Sequence, residues 1–158
     1  MFSRNSTKAN LNTSEAVLSR VSQHVLRDRS LERWQRFMTD NESAFGVGSQ
    51  AKYDEYSLDA TDVHHQYQAL VEQSLKEALA DVGLSSSAFS QLCSELDLTE
   101  SRSGNVQAFL ELVLGATNFA TFGDIMRDKA KRSYYFQIMS MWRQSIAAQN
   151  QNTHREAK

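Results

Sequence analysis

Asn105 to Met126 reads NVQAFLELVLGATNFATFGDIM and carries the densest apolar run in the chain. At a helical advance of roughly 100° per residue, Val106, Phe109, Leu110 and Val113 share one stripe. Gly115 and the Thr117-Asn118 pair interrupt it, and Phe119, Phe122, Met126 and Ala130 make a second stripe. The spacing predicts two helices joined by a very short bend, each apolar on one side and so obliged to pack against other elements. Leu112 and Leu114 lie on opposite flanks of the first stripe, and Ile125 lies on a flank of the second. Two readings account for so wide an apolar sector. The first is a central helix buried on most sides; the second is a helix that also borders a binding groove.

The neighbouring segments repeat the helical period. Asn12-Thr-Ser-Glu15 resembles a capping box ahead of Val17, Leu18, Val21, Val25 and Leu26, with His24 beside that stripe. Ser30 offers a second cap, and Leu31, Trp34, Phe37, Met38 and Phe45 give the next helix a heavy aromatic face. From Gly46 to Leu58 no period holds, which predicts a loop or short turn with Tyr53 and Tyr56 in it. Asp59 or Thr61 is placed to cap a helix on which Val63, Tyr67, Leu70, Val71, Leu75, Ala78 and Val82 align, and Gly83 is placed to end it. Phe89, Leu92, Cys93 and Leu96 make a short helix. After a basic passage, Tyr135, Ile138, Met139, Trp142 and Ile146 form a last stripe. Residues 1–11 read as a disordered leader and 149–158 as a disordered tail, around one helical domain over 12–148. The fold class is all-α, a compact bundle of about six helices without strands, and a monomer.

Composition narrows the function. The 158 residues, 41% hydrophobic and 23% charged, suit one globular domain. No proline and only six glycines leave long helices uninterrupted. A net charge of -2 supplies no global field for nucleic acid. The lone Cys93 can form no internal disulfide, which fits a reducing, cytoplasmic setting. No apolar run approaches the roughly 20 residues of a membrane span, so no stable insertion is expected.

Catalytic equipment is not visible. His64 and His65 lack the paired Glu-x-x-His motifs of a di-metal bundle and read as polar-face histidines. Cys93, between Leu92 and Leu96 on an apolar face, reads as an inert thiol. Gly46-Val-Gly48 lacks the third glycine and the strand of a phosphate loop. No enzyme, metal or cofactor is therefore predicted, and a protein that binds another protein is favoured. The basic-aromatic C-terminal helix, Arg127 to Ile146, leaves a second possibility: a scaffold for acidic membrane or calmodulin.

The order Trp34-Gln35-x-Phe37-Met38, Phe45, Tyr67-x-x-Leu70-Val71-Glu72 resembles the BART domain. So does the later series Phe89, Leu92, Leu112-Val113-Leu114, Asn118-Phe119-x-x-Phe122 and Met126. The likeness covers roughly residues 15 to 132. Asn118 stands where that family usually has Asp, and the Gly46–Tyr56 region holds only Asp54 and Glu55 where the family tends to be acidic. The resemblance implies an effector, cytoplasmic and associated with a cilium or flagellum, that recognises the GTP form of an Arf-like small GTPase. It implies a hydrophobic groove for the partner's amphipathic N-terminal helix, with Leu112, Leu114, Ile125, Leu70 and Phe89 as the candidate groove residues.

Overall fold

A computed structural model describes residues 4–27, 29–46, 57–95 and 104–156. Seven α-helices follow in order: α1 (Arg4–Arg27), α2 (Ser30–Asp40), α3 (Leu58–Val82), α4 (Ser86–Glu95), α5 (Gly104–Thr117), α6 (Phe119–Arg127) and α7 (Lys129–Glu156). One 3₁₀ turn, Glu42–Phe45, lies between α2 and α3. The described residues contain no strand, so the all-α bundle stands.

The helix count is seven because the chain breaks at Asp128. Its carboxylate accepts the Lys131 backbone N–H at 2.9 Å and starts α7, so Ala130 leaves the α6 stripe and is exposed. At the other junctions the chemistry is local. Asn118 caps α6 by accepting from Thr121 N–H at 3.0 Å. Gly83, at φ 75°, ends α3. The cap of α3 is Ser57, one residue before the helix, in place of Asp59 or Thr61. Ser30 is the first residue of α2 and supplies no cap; its hydroxyl accepts from Arg33 instead. Phe45 lies in the 3₁₀ turn that follows α2, closed by Gly46 at φ 62°. Asn12 stands inside α1, which runs without glycine or proline from Arg4. The stretches assigned to a leader and a tail are likewise helical from Arg4 and as far as Glu156. Tyr53 and Tyr56 lie outside the described residues.

α5 is the centre of the bundle and packs against α1, α3, α6 and α7. Eight of its fourteen residues are buried, from Val106 through Ala116. Around its C-terminal end an aromatic cluster joins the other helices. Tyr67 stacks on Phe122 at 4.7 Å and meets Trp34 edge-on at 6.5 Å, while Phe45 meets Phe122 edge-on at 5.3 Å. Edge-to-face and offset pairs of this kind add to area burial. Trp34 satisfies its indole N–H on Ser74 Oγ at 3.2 Å. α7 closes the bundle with Tyr135, Phe136 and Met139.

Arg132, in the basic passage, is buried rather than on a charged face. It donates to the Met126 and Ile125 carbonyls at the end of α6, and its guanidinium pairs with Glu42 at 3.1 Å. One cation thus ties α6, α7 and the 3₁₀ turn.

Gly115 sets the spacing of α5 and α6. A Cβ there would stand 3.3 Å from Ile125 Cδ1 and 3.7 Å from the Phe122 backbone and the Tyr67 ring. Gly115→Val should therefore lower stability by about 1–3 kcal/mol through overpacking, although valine is the better helix former. Thermal melts check it: an unchanged or raised Tm would show that α6 does not approach α5 this closely.

Candidate partner-binding groove

The turn after α3 builds the site. Leu84 N–H bonds back to Leu79 O at 3.0 Å, and Ser85 Oγ accepts from Ala88 N–H at 3.1 Å. The first bond finishes α3 and the second starts α4, so α4 follows after three residues and sits beside the C-terminal half of α3. α5 lies beneath them. Together the three helices enclose a groove of about 600 Å³, within the range of roughly 300–1,000 Å³ common for ligand sites.

Each helix contributes one face at helical spacing. α3 supplies Glu72, Leu75, Lys76 and Leu79; α4 supplies Ser86, Phe89, Ser90, Cys93 and Ser94; α5 supplies Val113, Leu114 and Thr117. The floor is apolar (Leu75, Leu79, Phe89, Cys93, Val113, Leu114), and the charged and hydroxyl groups stand along the rim.

Two of the five predicted groove residues, Leu114 and Phe89, line this groove. Leu112 and Ile125 are both fully buried core residues. Leu112 is covered because it lies on the side of α5 that packs into the surrounding helices and is 0% exposed. Ile125 fills the space beside Gly115. Leu70 is half-buried against the core and is not among the lining residues.

Of the two histidines, His64 departs from the polar-face reading and His65 does not. His64 is buried, its Nε2 is 2.9 Å from Gly115 O, and Phe119 and Phe122 pack around it at 5.0 and 5.1 Å. That geometry makes Nε2 the protonated nitrogen. His65 is exposed. Among the described residues, no group of three or more His, Cys, Asp or Glu side chains could hold a metal ion. Tyr67 is similarly committed to structure. Its hydroxyl donates to Leu112 O at 2.9 Å, and burial pushes its pKa above the usual tyrosine range.

A family model described as the ARF-like 2 binding protein BART matches residues 13–134, well over half of the chain. The protein belongs to this family. The match runs from within α1 to the first turns of α7 and so includes all three helices of the groove. The family is described by what it binds rather than by a reaction. No solved structure matches the chain closely enough for comparison.

In this BART-family chain the sequence reading missed Leu75, Leu79, Cys93 and Val113 as groove residues. Leu79 was the available signal. It lies four residues from Leu75, just beyond the edge of the α3 stripe, and so widens the apolar sector of that helix. Cys93 allows the floor to be tested directly, since burial pushes its thiol up to about 11. The thiolate is the reactive form, so alkylation by iodoacetamide should be slow at pH 8 and keep rising until about pH 11. A rate that levels off near pH 9, as in the urea-unfolded chain, would place the thiol in water instead.

Proposed function

We propose that the protein is a non-enzymatic effector of an Arf-like small GTPase. It takes the amphipathic N-terminal helix of the GTP-bound partner into the groove between α3, α4 and α5. The observation that carries this is the apolar floor presented at helical spacing by three helices, in a chain whose family is described by its ARF-like 2 partner. Preference for the GTP form then arises in the partner, which exposes its helix and reshapes its surface in one state. The preference equals the difference in affinity for the two states. The reading carries with it a monomer acting in the cytoplasm, at a cilium or flagellum.

A membrane or calmodulin role for the C-terminal helix has less support. The apolar stripe it would use is spent in the core at Tyr135, Phe136 and Met139. Tyr134 and Met141 remain exposed, at 57% and 62%. No helix among the described residues is long and apolar enough to cross a membrane.

Leu114→Asp should keep the fold and weaken binding of the GTP-loaded partner by at least about tenfold, because the carboxylate is desolvated beneath the incoming helix. Leu112→Asp should unfold the protein, since that side chain is 0% exposed. Circular dichroism melts paired with calorimetric titration of Arf-like proteins in both nucleotide states measure the two effects. Full-strength binding by Leu114→Asp, or equal affinity for the GDP and GTP forms of every partner tried, would defeat the proposal.

A further inference from the structure

The two long walls of the groove differ in charge. On α3 the rim carries Glu72 and Lys76, both exposed and four residues apart, about 6 Å along the helix. On α4 the rim carries only the hydroxyls of Ser86, Ser90 and Ser94. Glu followed by Lys at this spacing is the arrangement that most favours an ion pair within a helix. Yet among the described residues neither side chain makes a hydrogen bond or an ion pair. Both charges are free to meet an occupant.

The apolar floor has no direction of its own. Burial of apolar area is proportional to area and insensitive to orientation, so an amphipathic helix could lie in the groove either way round. Direction has to come from polar contacts at the rim, where like charges placed together are penalised and opposite charges are rewarded. The α4 wall, being uncharged, cannot provide this; the α3 wall can.

Resting on the groove reading above, we infer that Glu72 and Lys76 read the charge order of the bound helix and so fix which way it lies. The occupant carries a cationic and an anionic side chain one turn apart on the flank facing α3, the cation against Glu72 and the anion against Lys76. Its flank facing α4 is polar and uncharged. Reversing the helix on the same apolar stripe would turn its charged flank toward the uncharged α4 wall and lose both pairings. The pair is thus a specificity determinant that adds little to total affinity.

Three synthetic amphipathic peptides with one shared apolar stripe test this. One carries Lys then Glu four residues later on the flank, the second has that order reversed, and the third has Gln at both positions. Fluorescence anisotropy measures their binding to the full chain and to the double variant Glu72→Lys, Lys76→Glu, which keeps the net charge and the floor. The wild type should prefer one charge order by about fivefold, the size expected of exposed pairs. The double variant should prefer the other order, and both preferences should fade at 1 M salt, where the screening length is about 3 Å. The Gln peptide should bind both proteins alike. If all three peptides bind without an order preference, or with the same preference in both proteins, the charge reading is overturned while the groove stands. If no peptide binds, or if binding survives Leu114→Asp, the groove reading itself fails and this inference falls with it.

Discussion

A helix enclosed by four others cannot leave its last carbonyls without partners, and this requirement at the end of α5 governs the molecule. Gly115 O is met by the His64 ring, Leu114 O by Asn118 N–H and the Thr117 hydroxyl, and Leu112 O by the Tyr67 hydroxyl. An unmet buried carbonyl costs about 1–3 kcal/mol; Leu112 O lies within the helix, where Ala116 N–H also meets it, so that penalty bears mainly on Gly115 O and the Tyr67 bond is an added tie. Two of the donors stand on α3, three residues apart and therefore on one face. They fix α3 against α5. The same turn of α5 carries Gly115, which admits α6. Hydrogen-bond satisfaction and close backbone approach thus coincide within four residues, and the walls of the groove inherit their positions from them.

The central stretch made much of this legible. Its stripes placed Val106, Phe109, Leu110 and Val113 in the core, and its polar interruption placed the bend at Asn118, where the cap is found. Periodicity gives the angle at which a side chain leaves a helix and says nothing of what stands there. Leu112 and Leu114 look equivalent on that basis. One is sealed in the core and the other opens to the groove only because α4 arrives beside α3 rather than beside α1. His64 was illegible for a related reason. A polar side chain is buried when a carbonyl awaits it, and that carbonyl belongs to a residue 51 positions away.

The basic passage after Met126 shows the same limit. Arg127, Lys129, Lys131 and Arg132 read as a single charged patch, but the helix boundary at Asp128 turns them in different directions. Arg132 goes inward, where the α6 carbonyls and Glu42 neutralise it, and Lys131 lies 5.8 Å over the Tyr135 ring. Nearby Asp124 and Asp128 offset what remains. Of the four basic side chains, it is Arg132 that serves to close the bundle.

The walls of the groove are also unequal in how they are held. α3 and α5 are fastened to each other by buried hydrogen bonds. α4 buries Phe89 alone, and its contacts with the other helices are sparse. Elements with few buried contacts occupy the low end of a protein's local stability range. The groove is therefore bounded by one fastened jaw, α3 with α5, and one lightly held jaw, α4, and on the proposed function the second is the one that would adjust to a bound helix. Filling it would tighten the loose jaw, so amide hydrogen exchange should slow in α4 far more than in α3 or α5.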